Sequence, residues 1–341
     1  MSEEVAFSLG EIANSAGVSV PTVSKVINGR ADVAPATRDR VQRVLAEHGY
    51  VLKRAGRPLG RRSDQLIDFV VASIDSAYAA EILRGVEDAL VGTIARVVLA
   101  SANGHEQRDR EWIRKLAAGT TDGALLVLAD RDSAQLHELR RHEVPYVVID
   151  RLGDLGPEDL SVSATNWAGG KAAAEYLLSL GHRRIAALLG PAAFPATQDR
   201  CSGYRAALDA AGIPFDLTLV RYGDWFFEQA YREMCSVLEL PDRPTAVFVG
   251  SDDQCLGVYR ALHDHGMPVP EAMSVVGFDD MPYAAHLTPA LTTVRQPLRE
   301  MGRVATRMLL RVMAGESVDV ARVELATPLI VRASCGPPQT A

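Results

Sequence analysis

Cysteine is scarce in this chain. Cys201, Cys235, Cys255 and Cys335 are the only four in 341 residues, and they stand far apart with no Cys-x-x-Cys pair. That spacing argues against a disulfide framework or a zinc cluster and suits reduced thiols in a cytoplasmic protein. No stretch reaches the roughly 18 uncharged apolar residues of a membrane span, so no membrane partner is expected. The opening MSEEVAFSLGEIANSAG has no basic segment leading into an apolar one, the pattern of a secretory leader. Neither G-x-G-x-x-G nor G-x-x-x-x-G-K-[ST] opens any helical segment, which removes the usual dinucleotide and P-loop sites. The histidines form no H-E-x-x-H and no elbow with a serine; His263 and His265, two apart, would diverge on a helix. No catalytic residues, no metal site and no cofactor are therefore expected, and the chain is not read as an enzyme.

What is present is ordinary in amount and uneven in placement. Hydrophobic residues make up 48% and charged residues 23%, a soluble globular composition, and the length calls for two or three domains. The net charge of −7 hides an asymmetry. Residues 1–62 hold ten Lys/Arg against six Asp/Glu, while the remainder holds 26 against 37. Five of those ten bases fall in Lys53–Arg62, where there is no acid. A small basic head on an acidic body is the footprint of a DNA-binding domain joined to something else.

The head reads as three short helices. Ser8-Leu9-Gly10-Glu11 has capping-box spacing, which starts a helix ending near Ala16. Gly17 supplies the turn, and Ser19 caps a second helix that tolerates Pro21 in its first turn. Val23, Val26 and Ile27 face inward there, and a third helix from Pro35 to His48 adds Val41, Val44 and Leu45. Two short helices around a glycine turn fit a helix-turn-helix or a plain helical hairpin. The wording separates these, because LGEIANSAGVSVPTVSKVINGRADVAPATRDRVQRVLAEHGY closely resembles the head of the lac-repressor (LacI) family. The resemblance implies a DNA operator as partner. It places Val20, Pro21 and Lys25 at base-reading positions, with Ser8, Ser19, Thr22, Ser24, Asn28 and Thr37 positioning phosphates. Lys25 would reach guanine O6 and N7, whereas Val20 and Pro21 offer only apolar surface.

The segment after Tyr50 departs from the family, whose members fold a short hinge helix there and wedge a leucine into the minor groove. Leu59 holds the wedge position, but Gly56, Pro58 and Gly60 are poor helix-interior residues. Gly56-Arg57-Pro58 among bases resembles an AT-hook, which would put Arg57 in an A·T-rich minor groove. A flexible basic linker touching phosphates is the other reading of the same residues.

From Leu66 onward, apolar strands alternate with amphipathic helices. Strands are expected at Leu66–Ser73, Arg96–Ala100, Gly123–Leu128, Tyr146–Asp150, Arg184–Leu189, Thr245–Gly250 and Val275–Phe278. Helices are expected at Ala79–Leu90, Asn166–Leu180, Arg200–Ala211 and Gln254–His265. Repeated βα units imply an α/β fold with parallel sheets, and about 270 residues is too many for one such sheet. Ligands of open α/β sheets bind beyond the carboxyl ends of the strands. Those ends carry Asp75, Ser76, Tyr78, Asp150, Arg151, Asp252, Asp253, Asp279 and Asp280. Carboxylates, an arginine and aromatics suit a polyhydroxylated ligand, although helix capping would account for any single aspartate.

The family resemblance continues to Ser334 through AEILRGVEDAL, VVIDR, NWAGGKAAAEYLLSLGHRRIAALLGP, DRCSGYRAALDAAGI, VFVGSDDQCLGVYRALHDHGMPVPEAMSVVGFDD and LTPALTTVRQPLREMG. It implies a two-lobed, periplasmic-binding-protein-like core of type I, with three crossovers and a ligand in the cleft. By matching position, the effector contacts would be Tyr78, Asp150, Arg200, Trp225, Asp252 and Asp279, with Gln296 near the hinge. The family's usual Asn-Asp pair is taken to be Asp252-Asp253, whose extra charge favours a neutral polyol over a sugar phosphate. The expected domains are a head at 1–50 and a basic hinge at 51–64. A first lobe from 65–164 with about 295–324 and a second from 165–294 with about 325–335 complete the chain. The expected function is that of a homodimeric repressor released from its operator by a neutral sugar, xylose or a xyloside being one candidate. The helix around Ala79–Leu90 and the helix after Gln296 are expected to make the dimer contact. A purine-sensing corepressor-type regulator and a sugar-binding protein are the alternatives.

Overall fold

The computed structural model describes residues 9–27, 33–47, 65–74, 76–101, 106–117, 119–127, 134–151, 155, 156 and 158–339. Ser8, Asn28, Arg57, Leu59 and the whole 51–64 hinge lie outside the described residues.

Three helices open the chain: α1 (Leu9–Ala16), α2 (Val20–Ile27) and α3 (Pro35–Glu47). Gly17 takes φ +62°, and its N–H donates to the Asn14 carbonyl while that of Val18 reaches back to Ala13, which ends α1 in a left-handed turn. The helices close around Ile12, Ala13, Val23, Val26, Val41 and Leu45, each at most 4% exposed. A core this small suits one-sided helices, whose other faces stay in water.

The body runs β1 (Gln65–Val71), α4 (Ala77–Leu90), β2 (Ala95–Ser101), α5 (Glu106–Ala117), β3 (Gly123–Val127), α6 (Ala134–Arg141), β4 (Tyr146–Ile149) and β5 (Ser161–Ala164). It then crosses to a second sheet through α7 (Asn166–Ser179). There follow β6 (Ile185–Leu189), α8 (Pro195–Ala210), β7 (Val220–Tyr222), α9 (Phe227–Leu238), β8 (Ala246–Val249), α10 (Asp252–Asp264), β9 (Ser274–Asp279) and β10 (Thr292–Arg295). The chain returns with α11 (Leu298–Met313) and β11 (Arg322–Leu325), and crosses a third time into β12 (Leu329–Ile330).

The sheets are ordered β11-β5-β4-β3-β1-β2 and β12-β10-β9-β8-β6-β7. Among the described residues every strand pairing is parallel except β10 with β12. All residues of β3, β6, β8 and β9 are buried, because helices cover both faces of each sheet. One face of the first sheet packs Ile67, Phe69 and Leu125 against α4 and α11, and the other packs Leu126 and Val148 against Trp112 and Leu139. Such fully buried side chains contribute about 1.5–3 kcal/mol each.

Helix pairs meet backbone to backbone where the sequence offers glycine. A Cβ on Gly85 of α4 would lie 1.8 Å from the Arg299 carbonyl oxygen, and one on Gly302 of α11 would lie 2.1 Å from that of Ile82. The α7–α8 pair repeats the arrangement at Gly170 and Gly203. The crossings are laced together. Thr165 and Thr327 share a hydroxyl hydrogen bond of 2.9 Å, and the Asp280 carboxylate takes Arg295 and Arg332, both at 2.6 Å. The architecture is the mixed α/β one anticipated, a helical head and a two-sheet core with three crossovers.

Candidate functional site

On the head, the outward face of α2 is short and polar at its edges. Ser19 caps the helix as expected, its Oγ accepting from the Thr22 N–H at 3.3 Å and lying 2.9 Å from the Thr22 hydroxyl. Ser19, Val20, Pro21 and Lys25 are exposed, Val20 by 43% despite being apolar. Thr22, Ser24 and, at the start of α3, Thr37 are half-buried beside them. The inward positions of the same helix, Val23 and Val26, hold it to the core. A protruding helix with one basic side chain at its outer face has the shape that enters a major groove.

The second site lies between the sheets, beyond the carboxyl ends of their strands. A cleft of about 580 Å³ is lined by Tyr78 and Asp150 from the first sheet's side and by Gln296 at a crossing. Phe194, Ala196, Arg200, Trp225, Phe226, Ser251, Asp253 and Asp279 line it from the second. Five residues expected from the sequence, Tyr78, Asp150, Arg200, Trp225 and Asp279, are thus brought together.

Arg200 is the only cation among the described lining residues, and it is 3% exposed. Its Nε donates to Asn166 Oδ1 at 2.8 Å, and Nη1 donates to the Gly250 carbonyl and stands 4.0 Å from Asp279 Oδ1. The guanidinium lies 3.7 Å from the centre of the Phe278 ring and 5.2 Å from that of Trp225. Fixed on one side by hydrogen bonds and on the other by ring faces, it has little freedom left to lose when a ligand binds.

Asp150 and Asp279 sit at matching places, where β4 and β9 end in their sheets. Both take left-handed backbone angles, φ +54° and +117°, strain of a kind that concentrates at functional positions. Tyr78 donates its phenolic hydrogen to Asp150. Burial lifts the carboxyl of Asp150 above the ordinary range, and burial beside the Asp150 charge holds the Tyr78 phenol firmly protonated. Asp279 accepts from Gln296 Nε2 at 2.6 Å, and burial raises its carboxyl to about 7 in spite of Arg200. Gln296 Oε1 is buried with no hydrogen-bond donor among the described residues. Gly190 makes room for the indole of Trp225, since a Cβ there would fall 2.3 Å from the ring. Trp225 is half-buried and faces the cleft, 6.4 Å from Phe194 between ring centres.

Asp252 is not brought into the cleft. It is fully buried beneath it, its carboxylate accepting from the Met281 N–H and the Thr293 hydroxyl, both at 2.7 Å. Gly277 leaves the space that this carboxylate occupies. The cap of α10 is Ser251 and Asp253 lines the cleft, whereas the extra charge expected from the Asn-Asp comparison is that of Asp252 and lies buried outside the cleft. One step along a helix turns a side chain by about 100°, enough to exchange a cleft position for a core position. Phe194, Ala196, Phe226 and Ser251 are lining residues that the sequence does not single out, and Asp253, named there among the strand-end carboxylates, is not among the expected effector contacts. Pro195 at the first turn of α8 is the signal available for the first two, because it starts that helix at Pro195 and not at Arg200. No group of His, Cys, Asp and Glu among the described residues is arranged to hold a metal ion, and no described helix is long and apolar enough to cross a membrane.

Residues 8–52 match the family described as bacterial regulatory proteins, lacI family, and residues 174–335 match a periplasmic binding protein-like domain. The transcriptional regulator CelR of Thermobifida fusca is 39% identical over 95% of this chain and 96% of its own length. The ribose operon repressor of Escherichia coli K12 is 32% identical over 95% and 98%. Among solved structures, a CelR–cellobiose complex aligns with TM-score 0.74 at 36% identity, covering 96% of this chain and 99% of that one. The lac repressor dimer bound to operator and an anti-inducer aligns with TM-score 0.70 at 27% identity, covering 96% and 98%. With its head, its two-sheet core and these relatives, the chain belongs to the lacI family of bacterial regulatory proteins, as a DNA-binding transcriptional regulator.

Proposed function

We propose that the protein is a homodimeric repressor whose grip on its operator is released by a short neutral saccharide bound in the cleft. The observation that carries the ligand class is the imbalance of the described lining: three carboxylates and a Gln296 oxygen without a donor among the described residues, against one arginine already engaged. An acceptor-rich wall wants a ligand rich in O–H donors, and it repels phosphates and carboxylates. Tyr78, Phe194, Trp225 and Phe226 supply the ring faces that cover the C–H surface of a pyranose. The solved relative that carries cellobiose makes a β-linked disaccharide the first ligand to try, beside xylose and xylosides. In this reading Asp150, Arg200 and Asp279 hold hydroxyls, and Asp253 takes the contact that the sequence assigns to Asp252.

On the head, Lys25 reads a guanine edge between the apolar Val20 and Pro21, while Ser19, Thr22, Ser24 and Thr37 hold phosphates. A second copy accounts for exposed apolar side chains around edge strand β2, namely Ile74, Val91, Ile94, Val98 and Leu99, each 44–83% exposed. The apolar faces of α4 and α11, the helices that the sequence offers for the dimer contact, are largely spent on one another and on the first sheet. Two heads on a two-fold axis would meet two half-sites, and ligand that favours one arrangement of the lobes lowers operator affinity by linkage.

The test compares the full chain with one lacking residues 1–62, titrating each with cellobiose, xylose, glucose 6-phosphate and hypoxanthine by calorimetry. Both should bind a neutral sugar with the same affinity and neither should bind the phosphate, while only the full chain retains operator DNA. Binding of hypoxanthine alone would replace this reading with a purine-sensing one.

A further inference from the structure

The segment after β9 belongs to both lobes at once. Met281 is 3% exposed and sits within the core cluster of the first sheet, together with Ile67, Phe69 and Leu298, and Tyr283 packs against that same cluster. Three residues on from Met281, Ala284 is buried in a core of the second sheet. The segment is tied to the second lobe by polar contacts as well. The Met281 N–H donates to Asp252, and the Tyr283 hydroxyl donates to Oδ1 of Asp253, the carboxylate that lines the cleft.

We propose that Met281 and Tyr283 form a bolt between the lobes, and that the Asp253 carboxylate is its catch. The side chains are seated against the first lobe's core while their hydrogen bonds are anchored on the first turn of α10 in the second. Sliding or opening the lobes must therefore either withdraw Met281 from apolar contact or break the Tyr283–Asp253 bond. A hydrogen bond to a charged acceptor is among the stronger ones, and this one lies at the cleft wall, where a bound molecule touches the same carboxylate. Asp253 thus serves two partners: Tyr283 on Oδ1, and any donor group that a ligand brings to its other oxygen. Ligand occupancy and lobe docking are coupled through one side chain, with no chain of intermediates. Tyr283 is a positioning residue in this scheme and touches no ligand itself. The inference does not depend on which ligand the cleft takes.

Amide hydrogen exchange on the ligand-free full chain tests it. Tyr283→Phe keeps the ring and removes only the donor. Peptides covering 281–286 should exchange about tenfold faster in this variant, equivalent to about 1.4 kcal/mol. Peptides from β1, β6 and β8 should stay within about twofold of the unaltered chain. Asp253→Ala should produce the same local change, and the double variant should be no faster than either single one, because both remove one bond. Unchanged exchange at 281–286 in Tyr283→Phe would overturn the proposal. So would multiplicative effects in the double variant, or an equal rise in the sheets of both lobes.

Discussion

The two lobes are built on one strand order and use it differently. In both, the third strand of the order ends in an aspartate with left-handed backbone, Asp150 after β4 and Asp279 at the end of β9. The first lobe pairs its aspartate with a neutral phenol, Tyr78. The second sets its aspartate beside a cation, Arg200, which is itself clamped by Asn166, the Gly250 carbonyl and two aromatic rings. Among the described residues, the second lobe also supplies eight of the cleft's lining side chains and the first supplies two. The difference separates a platform from a cover. The second lobe carries the charge balance of the site, and the first completes it with one hydrogen-bonded pair.

That contrast can be broken most severely at Arg200. Arg200→Leu leaves Asp279 and Asp150 buried without their counter-charge, and a denaturant titration should show a loss of about 3–5 kcal/mol together with loss of saccharide binding. The corresponding change in the cover, Tyr78→Phe, removes one hydrogen bond to a carboxylate. It should cost about 1.5–3 kcal/mol by the same titration, and sugar affinity should fall without being abolished. If the two variants lose equal stability, the division into platform and cover is wrong.

A pH series sharpens the contrast further. Because burial raises the Asp279 carboxyl to about 7, the folded chain keeps a proton between about pH 4 and 7 that the unfolded chain has released. The stability contributed by that proton is complete below about pH 4 and is lost as pH rises through about 7. Asp279→Asn mimics the protonated form. Its advantage over the unaltered chain should therefore grow by about 2 kcal/mol between pH 5.5 and pH 8 in thermal unfolding, at about 1.4 kcal/mol per unit up to about pH 7 and level beyond. The smallest expected difference concerns two helix caps. Ser76 of the cover and Ser251 of the platform each accept one amide hydrogen at 3.2 Å, and Ser251 also donates to the Trp225 carbonyl at 3.0 Å. Ser76→Ala should cost about 1 kcal/mol, and Ser251→Ala about 1 kcal/mol more, with weaker sugar binding only in the second.

The long periodic elements are readable in the residues themselves. The turn at Gly17, the cap at Ser19 and the inward valines of α2 follow from local chemistry, and the seven strands anticipated in the body all form with ends shifted by one or two residues. The short strands β5, β7, β10, β11 and β12 are not legible in the same way. Two to four residues carry no measurable alternation, and these strands exist because neighbouring strands or crossings hold them. Tyr78, Asp150 and Asp279 are legible because strand ends point to one edge, whereas Arg200 and Trp225 follow only from the family resemblance. For Asp252 the expectation misses by a single residue: only the packing under Gly277 reveals that its carboxylate holds Met281 and Thr293 while Asp253 faces the cleft. Phe194 and Phe226 approach the site from loops whose course depends on the whole sheet, and nothing local in their sequence fixes that course.

We propose that a neutral saccharide in the cleft loosens the head's hold on DNA. It is tested most directly by fluorescence anisotropy of the labelled operator bound to the full chain, titrated with cellobiose, xylose and xylobiose at fixed salt. At least one of these should lower operator affinity tenfold or more, and Arg200→Leu should abolish the response. Operator affinity that is indifferent to every neutral saccharide, or that tightens with hypoxanthine, would contradict it.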